Sequence, residues 1–148
     1  MIAYRLEHKE YKCGIYRLHD AIRSNTNILE LSIMIGSAHG DYSHPAAWED
    51  IMGWDFDKHK DYICACPSMA ELKEWFTGYL NDIIKLGFVI NVYDVHYDYM
   101  IGHSGKQIAF NKNTAELVKT INKKDLTNYK STAELIIIKA LGEKELTK

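Results

Sequence analysis

Residues 62–95 read YICACPSMAELKEWFTGYLNDIIKLGFVINVYDV, and this stretch decides the fold class. It opens with the short apolar run 62–66, which Pro67 ends, and it closes with the β-branched and aromatic run 88–95. Both runs are typical of β-strands. The residues between them predict a helix, and a strand, a helix and a strand in succession favour a sheet with a helix packed across it.

The centre of this stretch predicts the main helix of the protein, over about residues 69–86. Ser68 and Glu71 form a capping box, in which the serine oxygen accepts a hydrogen bond from a free backbone N–H and the glutamate reaches back. Gly87 fits the end of the helix. Apolar side chains recur at helical spacing between these ends, at Leu72, Trp75, Phe76, Tyr79, Leu80, Ile83 and Ile84.

On either side of residues 62–95, the spacing of apolar residues predicts shorter elements. Residues 2–8 alternate between apolar and polar side chains and predict a strand, and residues 106–110 predict another. Short helices are predicted at 15–23 and at 46–52. The apolar run 28–35 fits either a strand or a helix, because periodicity alone does not separate the two in a short apolar run.

Two further capping boxes predict helices in the last third of the chain. Asn113 and Glu116 open one that runs to about Ile121, and residues 131–134 open another that ends near Gly142. The run 135–138 alternatively fits a buried strand. Together the elements predict an α+β fold in which helices pack on a small, mostly antiparallel sheet. No proline-rich linker divides the chain, so residues 1–148 are expected to form a single domain.

The composition is that of an ordinary globular protein, with 148 residues, 47% of them hydrophobic, and a formal net charge of -2. Proteins that bind nucleic acid generally carry a basic excess, so no direct nucleic-acid binding is expected. The N-terminus is charged and no long apolar run occurs, so we expect neither a signal peptide nor membrane insertion. Three cysteines are few and odd in number, which suits a reducing cytoplasm.

Six stretches of the sequence resemble small phage and prophage proteins. The resemblance covers about the first 110 residues of the chain. The six stretches are YRLEH at 4–8, GIYR at 14–17, HPAAWED at 44–50, YICACPSMAELKEWF at 62–76, FVINVYDV at 88–95 and GKQIAF at 105–110. The resemblance implies a bacterial host cell as the setting. It also implies that the protein binds a host protein, since inhibitors of CRISPR–Cas and other defence systems (anti-CRISPR proteins among them) are a large class of small phage proteins.

Segment 41–61 is the first candidate functional region, because it combines aromatic residues with six acidic residues against Lys58 and Lys60. Tyrosine and tryptophan are favoured at the centres of protein interfaces. An acidic, aromatic segment suits docking on a basic host surface, such as the nucleic-acid groove of a nuclease. The residues expected to contact the partner are Trp54, Asp55, Asp57 and Asp61. The alternative is a solvated loop whose aromatic residues belong to the core.

A structural zinc site is the second candidate. Zinc takes four nitrogen or sulfur ligands in a tetrahedron, and His39, His44, Cys64 and Cys66 supply four if the loop that carries the histidines folds against the strand that carries the cysteines. The alternative is that the thiols are small core residues and the histidines lie on the surface. No metal-activating His-Glu-x-x-His motif is present, so any zinc is expected to be structural.

A second resemblance, to the ADP-ribosyltransferase fold, gives the enzymatic alternative. It implies that Arg5 or His8 holds a nicotinamide dinucleotide, that Ser68 follows a strand at the site, and that Gln107 orients the ribose. Gln107 departs from the carboxylate of that fold and carries no charge to stabilise a cationic centre. Without the dinucleotide, Arg5 is a solvent-facing or salt-bridged strand residue and Ser68 is a helix cap. No complete catalytic set is present, which favours a non-enzymatic role.

Overall fold

The computed structural model describes residues 1–41 and 43–128, which form six helices and two three-stranded antiparallel sheets. The strands are β1 (Ile2–His8), β2 (Tyr62–Ala65), β3 (Phe88–Val95), β4 (Tyr99–Ile101), β5 (Ile108–Asn111) and β6 (Ala115–Ile121). The helices are α1 (Asp20–Arg23), α2 (Thr26–Ala38), α3 (Ala47–Asp50), α4 (Met69–Trp75), α5 (Leu80–Lys85) and α6 (Lys123–Asn128). The predicted α+β class, with antiparallel sheets and packed helices, is confirmed.

Sheet 1 has the strand order β1-β3-β6, and sheet 2 has the order β2-β5-β4. The two sheets are joined where β2 ends, because Tyr4 and Cys66 exchange both backbone hydrogen bonds, at 2.8 and 2.9 Å. The two strands of the predicted strand–helix–strand unit therefore lie in different sheets. Its first strand lies in sheet 2 and its second, β3, is the central strand of sheet 1.

The described residues form three layers, in the order helices, sheet 1 and sheet 2. Alternate residues of β3 point to opposite faces. Ile90 and Val92 pack with Leu31 of α2 and Leu72 of α4 in the core on the helix side. Tyr93 and Val95 lie on the other face of sheet 1, and they pack with Ile108 and Phe110 of sheet 2 in a second, smaller core.

The predicted main helix, 69–86, is two helices, α4 and α5. Ser68 caps α4 as expected, since its side chain accepts a hydrogen bond from the Glu71 N–H. Helix α4 ends at Trp75, with Phe76 as its C-cap, and Gly78 takes a φ of +86°, a left-handed conformation that interrupts the helical backbone. Thr77 contributes too, since its hydroxyl donates to the carbonyls of Lys73 and Glu74 in the last turn of α4.

The helix predicted from Asn113 and Glu116 is wrong, because residues 115–121 form β6. The Asn111 side chain accepts from the Asn113 N–H, and the Asn111 carbonyl accepts from the Thr114 N–H. These bonds close a turn between β5 and β6, and the β-branched residues beyond it pair with β3. The helix predicted over 131–142 lies outside the described residues.

The remaining predicted elements are confirmed with shorter or longer bounds. The ambiguous run 28–35 is helical and belongs to α2, whose Asn25 side chain accepts from the Ile28 N–H. The predicted helices at 15–23 and 46–52 shorten to α1 and α3. Strand β4 was not predicted. In the described part of the chain, no helix is long and apolar enough to cross a membrane.

Candidate functional site

Five aromatic rings within residues 48–62 contact one another in a chain. Trp54 lies at the centre, with its indole stacked on His59 at a centroid distance of 5.2 Å and edge-on to Phe56 at 6.1 Å. Trp48 packs beside Phe56 at 5.7 Å, and Tyr62 meets His59 edge-on at 4.7 Å. We call these five rings, Met52 and the carboxylates next to the rings in the chain the acidic aromatic patch; the carboxylates are Glu49, Asp55, Asp57 and Asp61.

The patch presents large apolar side chains to solvent. Trp48 is 59% exposed, Phe56 is 58% exposed, and Met52 is 95% exposed. Trp54 is half-buried, and its Nε1 atom is buried without a hydrogen-bond partner among the described residues. Aromatic residues and methionine are enriched at protein interfaces, so these side chains have the chemistry of a contact surface. Sequence reasoning named Trp54, but the apolar area lies mainly on Trp48, Met52 and Phe56.

Five of the six acidic residues in segment 41–61 are exposed, and the sixth, Asp50, is buried. Hydrogen bonds from the backbone N–H groups of Lys58 and Asp57 hold the pKa of Asp55 below its ordinary value. Asp55 is therefore ionised at neutral pH. The patch is locally acidic even though the net charge of the whole chain is only -2.

Asp55 also holds the loop of the patch in shape. Its Oδ1 accepts from the N–H groups of Asp57 at 2.9 Å and Lys58 at 3.1 Å. Its own N–H donates to His59 Nδ1 at 3.0 Å, which fixes the imidazole that stacks on Trp54. Of the three aspartates named from the sequence, Asp55 thus has a structural role, whereas Asp57 and Asp61 are exposed.

Asp50, at the end of α3, ties the patch to sheet 2. Its two carboxylate oxygens accept from the Ser104 N–H at 2.8 Å, the Ser104 hydroxyl at 2.7 Å and Gln107 Nε2 at 2.9 Å. Burial raises the pKa of Asp50, but the hydrogen bonds from Gln107 and Ser104 outweigh it and hold the pKa below its ordinary value. Gly102 leaves the space for this carboxylate, since a Cβ atom there would overlap Asp50.

Strand β4 borders the patch. The Tyr62 hydroxyl, in the patch, donates to the carboxylate of Asp98, the residue that precedes β4. Tyr97, Tyr99 and Ile101 are 64%, 39% and 54% exposed. Tyr99 and Ile101 pair with Phe110 and Ile108, so they lie on the opposite face of sheet 2 from Tyr62, which pairs with Asn111. Sequence reasoning missed β4 because a three-residue strand gives no alternation long enough to detect.

Arg5, the candidate dinucleotide ligand, is bonded within the fold. Its Nε donates to Glu7 at 2.9 Å, and a terminal nitrogen donates to the Cys64 carbonyl at 2.6 Å. Glu7 is 2% exposed, and it also accepts from Asn91 at 2.8 Å and from the Tyr93 hydroxyl. The arrangement is that of a salt-bridged strand arginine between the two sheets.

The other two residues of the enzymatic alternative are also used by the fold. Ser68 caps α4. Gln107 Nε2 donates to Asp50 and to the Pro45 carbonyl at 2.7 Å, so it fixes the loop that precedes α3. Arg5, Ser68 and Gln107 therefore belong to three separate sets of contacts.

The predicted zinc ligands do not come together as one group. Among the described residues, no three or more histidine, cysteine, aspartate or glutamate side chains are placed to hold a metal ion. His39 and His44 do meet, with their rings stacked at 3.7 Å. Burial raises the pKa of Cys64, and it raises that of Cys66 to about 12, so both thiols are protonated at neutral pH in this fold.

The histidine pair is held by hydrogen bonds instead. His44 Nδ1 lies 2.7 Å from Asp41, and His44 Nε2 lies 2.9 Å from the Trp75 carbonyl. Trp75 Nε1 donates to the Tyr16 hydroxyl at 2.7 Å, and that hydroxyl is also hydrogen-bonded to His39 Nδ1. Burial, with a smaller contribution from His44, lowers the pKa of His39 to about 4, so His39 is neutral at pH 7.

The fold and the site define a small three-layer α+β protein that presents an acidic aromatic patch to solvent. The chain belongs to the Bacteriophage T4 Y00F protein family, whose model matches residues 1–124. The resemblance to small phage proteins is thereby confirmed. Neither the curated proteins nor the solved structures gave a match to the chain.

Proposed function

We propose that this phage protein acts without catalysis, by binding a bacterial host protein through the acidic aromatic patch and inhibiting or redirecting it. One observation carries the proposal: Trp48, Met52 and Phe56 are all more than half exposed, and the residues next to Trp48 and Phe56 in the chain include the exposed carboxylates Glu49, Asp55 and Asp57. An isolated exposed apolar residue is ordinary, but neighbouring exposed aromatic rings with a charged rim are typical of interfaces.

The apolar side chains supply the affinity in this proposal. Burial of apolar surface is worth roughly 25 cal/mol per Å². A tryptophan at the centre of an interface commonly contributes about 2 kcal/mol or more on truncation. Trp48 and Phe56 pack on each other, so a partner covers both rings together.

The carboxylates supply the choice of partner. Glu49, Asp57 and Asp61 are exposed beside the rings, so a basic surface is complementary to the patch. Complementary charge speeds encounter and disfavours acidic partners. Basic grooves that hold nucleic acid, as in the nucleases of bacterial defence systems, have this character, and membership of a phage family agrees with such a target.

The patch is also preorganised, which lowers the entropic cost of binding. The bonds of Asp55 fix its loop, and the buried bonds of Asp50 fix the helix that carries Trp48. Little further ordering is then needed when the partner binds.

Affinity capture from a bacterial host lysate tests the proposal. The wild-type chain is expected to capture one dominant host protein. The double variant Trp48→Ala/Phe56→Ala is expected to reduce the captured amount of that protein by more than about tenfold. The matched control is Ile33→Ala/Met34→Ala, which removes two similarly exposed apolar side chains from α2. Equal capture by the wild type and the patch variant would refute the proposal.

The inhibitory part of the proposal has its own test, made on the captured protein after purification. Binding of the wild-type chain is expected to reduce the activity of that protein, or its binding to nucleic acid, in proportion to occupancy. A captured protein whose activity is unchanged at full occupancy would show binding without inhibition. In that case, redirection would be tested by comparing the binding partners of the captured protein with and without the phage protein.

A further inference from the structure

The loop that leads to α3 meets the ends of two helices at the ring of His44. His44 Nδ1 lies 2.7 Å from Asp41 Oδ1, and His44 Nε2 lies 2.9 Å from the carbonyl oxygen of Trp75, the last residue of α4. The ring of His39, the residue that follows α2, stacks on the His44 ring at a centroid distance of 3.7 Å and an interplanar angle of 6°. His44 thus lies at the carboxyl ends of both α2 and α4.

The two oxygens that face the His44 ring nitrogens can only accept hydrogen bonds. A carbonyl oxygen carries no proton, and neither does an ionised carboxylate. The hydrogen bond from His44 holds the pKa of Asp41 below its ordinary value, so Asp41 is ionised at neutral pH. A neutral imidazole has one N–H, and its other nitrogen would direct a lone pair at an oxygen. Only the doubly protonated ring donates to Asp41 and to the Trp75 carbonyl together.

We infer that His44 is an imidazolium cation in the folded protein and acts as a proton-dependent clamp between the loop before α3 and the end of α4. With both protons, the ring makes both hydrogen bonds. When the ring loses one proton, one of these bonds is lost and the loop is held less firmly. The inference concerns how the loop is fixed, and it does not depend on the proposed function.

The position at the helix ends favours a cation. The last carbonyl groups of a helix lack intrahelical partners and carry a partial negative charge. The Trp75 carbonyl is one of these groups in α4, and the stacked His39 follows the last residue of the 13-residue helix α2. Positive charge beside the last turn of a helix is stabilising, and a histidine there can bond directly to a free carbonyl.

The charged groups near the ring also favour a cation. Asp41 pairs with Nδ1. On the side of α4, His44 lines a cavity of about 270 Å³ together with Glu71, Glu74 and Lys106. The cavity and the loop therefore place three carboxylates and one ammonium group around His44, and an excess of negative charge favours the protonated form of a histidine.

His39 is the neutral ring of the stacked pair. Two charged rings at this distance would repel each other, so only one of them carries the extra proton. Burial, with a smaller contribution from His44, lowers the pKa of His39 to about 4. The Tyr16 hydroxyl is hydrogen-bonded to His39 Nδ1 and orients this ring. His39 thus leaves the positive charge to His44.

Long-range proton–nitrogen NMR spectra of the full chain at about pH 7 test the inference, with EDTA present so that no metal ion occupies either ring. Both ring nitrogens of His44 are expected to be protonated, whereas His39 is expected to have one protonated nitrogen. An ordinary histidine is mostly neutral at this pH. A wild-type His44 ring with one unprotonated nitrogen would overturn the inference, and this result is decisive even if a variant fails to fold.

Asp41→Asn changes the partner of Nδ1 from an acceptor to a possible donor. The asparagine amide can donate to Nδ1, so a neutral His44 ring then satisfies both neighbours. The doubly protonated fraction of His44 is expected to fall at least about threefold at about pH 7. Asp57→Asn, which removes an exposed carboxylate of the acidic aromatic patch, is the control and is expected to leave His44 unchanged. An unchanged His44 in Asp41→Asn would contradict the inference.

Urea unfolding measures the clamp itself. His44→Gln keeps a donor for the Trp75 carbonyl but has no proton that depends on pH. The excess of the wild-type urea midpoint over that of His44→Gln is expected to shrink by at least about half between about pH 6 and about pH 9, because His44 stabilises the fold only while it is doubly protonated. His96→Gln, at an exposed histidine 3.7 Å from Asp94, is the control and is expected to show little change. An excess that is equal at both pH values would overturn the inference.

Discussion

Gln107 Nε2 donates to Asp50 Oδ2 across 2.9 Å, and both side chains are buried, at 5% and 1% exposed. This bond joins the loop before β5 to the helix that carries Trp48. A glutamine is well suited to the position, since its amide donates to Asp50 and to the Pro45 carbonyl together. A carboxylate at position 107, as in the ADP-ribosyltransferase fold, could do neither when ionised.

Gln107→Glu is expected to destabilise the fold by about 3 kcal/mol or more at neutral pH, because it buries a second carboxylate against Asp50. Gln107→Met, of similar size and uncharged, is expected to cost only about 1 to 3 kcal/mol, since the Ser104 bonds to Asp50 remain. Urea unfolding measures both free energies. Equal stability of the two variants at neutral pH would contradict the arrangement.

Acid is expected to destabilise the wild type partly through Asp50. Its folded-state pKa lies below the ordinary 3.8, so its contribution to stability is complete above that value and is lost as the pH falls through the folded-state pKa. Asp50→Asn is expected to be less stable at neutral pH and to lose less stability between about pH 6 and about pH 3. Urea unfolding at the two pH values checks this, and parallel losses in the two proteins would count against it.

Gly102→Ala is expected to destabilise the protein by about 1 to 3 kcal/mol, because the new methyl group would overlap the Asp50 carboxylate. Gly36→Ala is the control. Gly36 lies inside α2 with no atom near the position of the added Cβ, so that change is expected to stabilise by about 0.5 to 1 kcal/mol. Thermal unfolding distinguishes the two directions, and a neutral Gly102→Ala would argue against close packing there.

Arg5→Met is expected to cost about 3 kcal/mol, because it leaves the buried Glu7 carboxylate without its cation. Adding Glu7→Gln is expected to recover part of that loss, because Asn91 and Tyr93 can still bond to an uncharged oxygen. A double-mutant cycle by urea unfolding measures the coupling. The same wild-type protein is expected to show no thermal shift with NAD, and a shift that Arg5→Met abolishes would revive the enzymatic alternative.

Periodicity and caps predicted the elements that have local causes. The alternation of β1, the composition of β3 and the Ser68 cap all act within a few residues, so the sequence carries them directly. The break at Gly78 was missed because apolar spacing continues across it, from Phe76 to Tyr79. In β6, pairing with the central strand β3 decides the structure, and a capping pattern at Asn113 contains no information about that partner.

For the candidate site too, local features could be predicted from the sequence and features that depend on distant contacts could not. The acidic and aromatic character of segment 41–61 could be predicted, since composition is enough to reveal it. Which side chains are exposed could not be, because burial of Asp50 depends on Ser104 and Gln107, more than fifty residues away. The edge position of β4 likewise depends on strand order, which a single sequence does not specify.

The affinity for the captured host protein, measured against salt concentration, tests the central claim most directly. Asp57→Lys/Asp61→Lys is the informative variant because both side chains are exposed and, unlike Asp55, neither side chain holds the loop. Glu10→Lys/Glu30→Lys makes the same charge change at exposed positions outside the patch.

If recognition is electrostatic and aromatic at this patch, the wild type loses affinity steeply as salt rises, and the patch variant binds at least about tenfold more weakly at low salt. The control variant is expected to follow the wild type. Equal affinity and equal salt dependence for all three proteins would contradict the claim and place the docking surface elsewhere.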